Sequence, residues 1–202
     1  MIQRLIQAKI TKEEISKLPT EEFKGRIVIL STERDAEKAV NYLLHNASMV
    51  GFDTETRPSF KKGRVYKVAL MQVSTEDTCF LFRLNRIDLP DSLKAFLKDE
   101  SVLKIGLSLR DDFSAIRKRM DKIDLNNFLD LQAYVGKFGI EDASLQKIYA
   151  ILFGKRISKG QRLSNWEAET LTEAQQKYAS LDAWACLEIY KTLHESEEDE
   201  AL

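Results

Sequence analysis

The stretch that most constrains this chain is Val50-Gly51-Phe52-Asp53-Thr54-Glu55-Thr56. It has the apolar opening of a buried strand but ends in two acids. Side chains of a strand alternate between its faces, so Asp53 and Glu55 point the same way. Two carboxylates held side by side repel each other. The pair is stable if a cation lies between them, most simply a divalent metal ion, or if one carboxyl is protonated. A fold that holds this strand centrally must answer that repulsion.

The rest of the chain predicts the setting. With 202 residues, 44% of them hydrophobic, there is enough apolar matter for one sizeable core. Residues 25–30 read as a first strand. Ser31-Thr32-Glu33 offers a helix N-cap, and residues 35–46 have helical spacing through Ala36, Ala39, Val40, Leu43 and Leu44. After the acidic strand, residues 65–74 and 78–84 read as strands, a helix opens at Leu89-Pro90-Asp91, and residues 102–107 form another strand. Residues 111–120 return to helical spacing, and from Asp130 onward the signal is almost all helix, at 131–135, 144–153 and 172–194. This order predicts an α/β class: a mixed sheet of about five or six strands flanked by α-helices, with a helical C-terminal part. The domain is expected over 26–194. Residues 1–25 form an N-terminal extension with a short helix or two on the outside, and 195–202 are an acidic tail expected to be disordered.

Charge and cysteines narrow the partners. Lys+Arg is 31 against Asp+Glu 32, so contact with a polyanion has to come from local clusters. Cys79 and Cys186 are far apart in apolar segments, which reads as two buried thiols in a reducing compartment. No apolar run approaches a membrane span and the N-terminus lacks a signal-peptide pattern, so the expectation is a cytoplasmic protein with no membrane partner.

Two further places carry acids where a site is possible. Lys104-Ile105-Gly106 ends a strand, and Asp111-Asp112 follow near a helix start. These acids either complement the helix dipole or join the first pair. In Tyr178-Ala179-Ser180-Leu181-Asp182, the tyrosine and the aspartate share one helical face among apolar neighbours. Asp182 is then either hydrogen-bonded to Tyr178 in a helix interface, hydrated or metal-bound.

Phe-Asp-Thr-Glu-Thr, then Lys-Ile-Gly with an Asp six residues past the Gly, then Tyr-x-x-x-Asp resembles the three exonuclease motifs of the DEDDy 3′-5′ exonucleases. That family, within the ribonuclease H-like superfamily, includes the proofreading domain of DNA polymerase I, ribonuclease D and the Werner-type exonucleases. Leu163-Ser164-Asn165-Trp166, followed by 171–178, is similar to the stretch ahead of the third motif in the ribonuclease D and Werner-type branch. The resemblance covers roughly residues 26 to 193.

It implies a ribonuclease H-like fold and metal-dependent hydrolysis of phosphodiester bonds from the 3′ end of nucleic acid, releasing nucleoside 5′-monophosphates. It also implies two ions, Mg²⁺ or Mn²⁺. Asp53, Glu55 and Asp182 would hold the ion that activates water, and Asp53 and Asp112 the second. Tyr178 would orient the attacking water, because a phenol with pKa about 10 is a poor base at neutral pH. The alternative on the same fold is a non-catalytic nucleic-acid-binding module.

This chain departs from the branch after Ser-Asn-Trp. Where Trp-Glu-Arg-Pro-Leu is common, it has Trp166-Glu167-Ala168-Glu169-Thr170-Leu171. It also shows neither the helical nucleic-acid-binding module of ribonuclease D nor a helicase region; the lack of the former, with the sequence near the third motif, leans the expectation toward DNA over RNA, single-stranded or otherwise 3′-ended.

Substrate contacts are expected from Thr54 and Ser108 beside the acids. Residues 57–67, with five cations and no acid, add Arg57, Lys61 and Lys62 as phosphate contacts. Lys155, Arg156, Lys159 and Arg162 form a second cationic run that is either a solvated face or a phosphate contact through Lys159 and Arg162. Phe60 or Tyr66 either stacks on a base or packs on its own domain. Trp166 is either core-facing or groove-lining.

Overall fold

A computed structural model describes residues 6–200, with side chains described through 196. Its elements, in chain order, are α1 (Lys12–Ser16), β1 (Arg26–Leu30), α2 (Glu33–Asn46), β2 (Met49–Thr56), β3 (Val68–Ser74), β4 (Thr78–Phe82), α3 (Leu84–Ile87), α4 (Asp91–Lys98), β5 (Leu103–Gly106), α5 (Leu109–Arg117), β6 (Phe128–Asp130), α6 (Leu131–Tyr134), α7 (Leu145–Phe153) and α8 (Glu173–Glu200). The six strands form one mixed sheet in the order β1-β4-β3-β2-β5-β6. β3 runs antiparallel to both its neighbours, while β1–β4, β2–β5 and β5–β6 are parallel pairs.

Alternation along the strands divides the interior in two. Val50, Phe52, Met71, Val73, Phe80 and Phe82 face a layer built by α2, α4 and α5. Leu70, Cys79, Leu81 and Ile105 face the layer of α6, α7 and α8. All seven residues of β3 are buried, as a strand covered on both faces requires. The helices seat themselves by local signals. Thr32 caps α2 by accepting from the Asp35 amide at 3.2 Å, and Ala36, Ala39, Val40 and Leu43 form the buried stripe.

Four sequence expectations shift. β3 begins at Val68 rather than 65, because residues 57–67 are a loop on the rim. β6 is a three-residue strand where the helical signal was expected to begin. It is too short for alternation to register, and it exists through its parallel pairing with β5. α8 carries helix to Glu200, through most of the acidic segment expected to be disordered; residues 201–202 lie outside the described residues. The N-terminal segment is also more than an outer extension. Phe23 is buried in the α8-side core, Thr20 bridges Arg156, and Glu21 accepts from Tyr149 Oη at 2.9 Å and Lys155 Nζ at 2.7 Å. Among the described residues no helix is long and apolar enough to cross a membrane.

Candidate active site

β2 and β5 pair only over Met49–Gly51 and Leu103–Ile105. Beyond that point β5 turns into α5, while β2 continues to Thr56, so a crevice opens at the carboxyl ends of two parallel strands, a place where α/β folds bind ligands. The stretch of β2 that β5 leaves unpaired is the acidic one. The strand also carries a register shift against β3 between Glu55 and Thr56, a local kink at the site's edge.

Gly51 sets the third wall. A Cβ there would lie 1.8 Å from the Ala183 carbonyl oxygen and 3.3 Å from Leu187 Cβ. Glycine therefore lets α8 cross directly on β2, on the face that also carries Asp53 and Glu55. The crossing brings Asp182, next to Ala183, against that pair. Ligand atoms of Asp53, Glu55 and Asp182 lie within 4.8 Å of one another.

Asp112 enters from the other side. It lies in the first turn of α5 and accepts a short hydrogen bond from Thr54 Oγ1. It also lines the same cleft as Asp53, Thr54 and Asp182, about 470 Å³ in volume. Both readings of this acid thus hold: it complements the helix start and it faces the site.

α5 itself is aimed by Asp130, where the sequence predicts the start of the helical C-terminal part. The Asp130 carboxylate at the end of β6 accepts from the amides of Ser108 and Leu109 and from that of Gln132, all at 2.9 Å. Ser108 adopts φ 62, a left-handed conformation uncommon for a non-glycine residue, and the two flanking hydrogen bonds hold it there. An Asp directly before a helical run was the available signal.

The electrostatics follow from crowding. Burial, then the fields of Asp112, Glu55 and Asp182, push Asp53 well above the usual carboxylate range. Burial and then Asp182 and Asp112 push Glu55 up to about 9, against the opposing pull of Arg162. Burial raises Asp182 to about 7, although the Tyr178 hydroxyl donates to it. Burial raises Asp112 to about 6, offset by Thr54. Tyr178, raised by burial and by Asp182 and Glu55, stays protonated throughout the neutral range. Buried carboxyls that all resist ionisation, two of them also in their neighbours' fields, form a cluster arranged for positive charge. The donors are all hard oxygens, which suits Mg²⁺ or Mn²⁺ better than zinc.

The expected substrate contacts separate into groups. Thr54, Ser108, Lys159 and Arg162 line the cleft with the acids. Arg57 and Lys61 line a neighbouring depression instead, and Lys62 is an exposed cation lining neither. Lys155 and Arg156 of the second cationic run are occupied by Glu21 and by the Leu18 carbonyl.

Of the two readings of Trp166, the structure takes the core-facing one and removes it from the expected substrate contacts. It is fully buried, with its ring centroid 6.1 Å from that of Tyr178, so it backs the tyrosine from the core and touches no groove. The segment that carries Trp166 is held from beneath by Arg83, a 3%-exposed guanidinium that donates to the Ala168 and Glu169 carbonyls. The sequence offered no sign of this, because the two are 85 residues apart.

A mixed sheet with a carboxylate cluster at the carboxyl ends of its parallel strands, closed by a helix bearing Tyr and Asp, defines a ribonuclease H-like nuclease domain. The chain belongs to the 3′-5′ exonuclease family, whose model matches residues 27–197. It is 32% identical over 185 residues to the bifunctional 3′-5′ exonuclease/ATP-dependent helicase WRN of Mus musculus, spanning 87% of this chain and 13% of that protein. It is 28% identical over 191 residues to a 3′-5′ exonuclease of Arabidopsis thaliana, spanning 87% of this chain and 66% of that one. In structure it is similar to the EXO domain of Aedes aegypti Nibbler, with a TM-score of 0.78 at 22% identity over 91% of this chain and 95% of that one. The chain thus spans less than two thirds of these two sequence relatives.

Proposed function

We propose that this chain hydrolyses phosphodiester bonds from the 3′ end of nucleic acid and releases nucleoside 5′-monophosphates. The observation that carries the reading is the convergence of Asp53, Glu55 and Asp182 within 4.8 Å, with Asp112 in the same cleft. We assign Asp53, Glu55 and Asp182 to one divalent ion and Asp53 with Asp112 to a second, either Mg²⁺ or Mn²⁺. When bound, such ions activate water and neutralise charge on the phosphate and the leaving oxygen.

The chain's own residues do the remaining work. Tyr178 keeps its proton at neutral pH, so it orients the attacking water by hydrogen bonding and does not serve as the base. Trp166 packs against that ring from behind. Thr54 holds Asp112 at the cleft edge. Lys159 and Arg162 face the cleft as cations for the terminal phosphates.

We propose DNA ahead of RNA, on the likeness of residues 163–166 and 171–178 to the Werner-type branch. The test is gel analysis of 3′- and 5′-labelled oligonucleotides with Mg²⁺ or Mn²⁺, on matched single-stranded DNA, recessed duplex DNA and RNA. The expected result is stepwise 3′ shortening, fastest on DNA. No shortening of any substrate with either metal overturns the proposal, and faster shortening of RNA reverses the order of substrates.

A further inference from the structure

Beside the cleft lies a second depression of about 400 Å³, where residues 57–67 face residues 163–165. The two are neighbours along the chain at both walls. Thr54 lines the cleft and Arg57 the depression; Arg162 lines the cleft and Leu163 the depression.

The surface of this depression is unusual in two respects at once. Phe60 is 83% exposed and Leu163 is 67% exposed, so two large apolar side chains stand in water with no packing role. Arg57, Lys61 and Arg64 stand among them, in a loop with five cations and no acid. Arg57 and Arg64 both lie over the Tyr66 ring, at 4.9 and 4.8 Å from its centroid, which keeps their guanidinium groups on this wall. Arg57 is also paired to Glu167 at 3.3 Å, whereas Arg64 and Lys61 have no carboxylate partner among the described residues.

An apolar protein surface would have to bury these cations unpaired, and a duplex would present phosphates but hide its base faces. A ligand that offers both negative charge and bare flat apolar faces is an unpaired nucleic-acid strand. We infer that this depression binds the unpaired nucleotides lying 5′ of the two 3′-terminal ones, with Phe60 and Leu163 against base faces and Arg64 and Lys61 against the phosphates. The inference rests on the exonuclease reading for the direction of the strand. It makes the site selective for 3′ ends that carry a single-stranded tail, without base preference, because every base has a stacking face.

Two measurements on the full chain test it. Fluorescence anisotropy of a 5′-labelled 12-nucleotide single strand in EDTA reads binding without turnover. Phe60→Ala and Arg64→Glu should each weaken binding about tenfold, Phe60→Trp should retain it, and a blunt duplex of the same length should bind more weakly than the single strand. Steady-state hydrolysis with Mn²⁺ should show Phe60→Ala losing about tenfold in kcat/KM on the 12-mer and less than about twofold on a dinucleotide, which is too short to reach the depression. Binding of the 12-mer unchanged by Phe60→Ala, or an equal loss on 12-mer and dinucleotide, overturns the inference. Tight binding that weakens in the variants, with no hydrolysis by the wild type under either metal, sustains the binding surface and overturns the exonuclease reading instead.

Discussion

At Asp53 the needs of folding and of chemistry oppose each other. Its carboxyl is raised by burial and by three neighbouring acids, so the folded chain keeps it ionised only where positive charge is supplied. Asp53→Ala is therefore expected to lower hydrolysis by at least about 10², the loss of several kcal/mol of charge stabilisation. Tyr178→Phe, which removes an orienting hydrogen bond and no ligand, is expected to cost about tenfold. Single-turnover rates at saturating Mn²⁺ would measure both.

Lys104 is a second buried charge, outside the site. It is wholly enclosed, donates to the Asp99 and Val102 carbonyls at 2.8 and 2.9 Å, and lies over the Phe96 and Phe128 rings. Burial lowers it to about 8. Between about 8 and its unfolded value the unfolded chain holds more protons than the folded one, so this residue's contribution makes stability rise with pH across that window. Lys104→Met removes that slope. The variant's advantage over wild type in urea melts should shrink by roughly 3 kcal/mol from pH 7 to pH 10.5.

Among the elements, the contact that builds the site is α8 on β2. Gly51 is the point of closest approach, and any side chain there must displace the Ala183 backbone. Gly51→Ala is expected to cost about 1–3 kcal/mol in stability by overpacking. Hydrolysis should fall further than stability alone predicts, because the displaced turn of α8 carries Asp182. Comparing the urea midpoint with kcat for this variant separates the two effects. α5 shows the same logic at its start. Its direction is set by Asp130 on the amides of Ser108 and Leu109, and through that direction Asp112 comes to face Thr54. The loop bearing Trp166 is tied down by Arg83 below and by Arg57–Glu167 at the rim, so the wall behind Tyr178 is anchored from both sides.

At the scale of the whole molecule, folding of the metal-free chain works against its own carboxylates. Groups raised to about 6, 7 and 9 bind protons in the folded state that the unfolded state has already lost, so the stability of the metal-free protein falls as pH rises through that range. A divalent cation bound to the ionised cluster reverses the loss. Adding Mn²⁺ at one concentration, about a hundred times its Kd at pH 8, is expected to raise Tm by roughly 5–10 °C near pH 8, and by less near pH 5.5. Differential scanning fluorimetry at the two pH values would measure it, and an equal rise at both would contradict the charge argument. 

The α/β class, the acidic strand and the Tyr178–Asp182 face were legible in the residues, because strand alternation and helical spacing are local and survive in one dimension. The helix continuing to Glu200, the strand Phe128–Asp130, the packing of Trp166 behind Tyr178 and the grip of Arg83 were not. Each depends on what lies across space: a parallel partner strand, a packed tyrosine, carbonyls 85 residues away. By itself the sequence determined which residues carry charge and on which face of their own element. Only the tertiary structure decided which faces meet, because that is set by close approaches such as α8 over Gly51, where the absence of one Cβ brings Asp182 against Asp53 and Glu55.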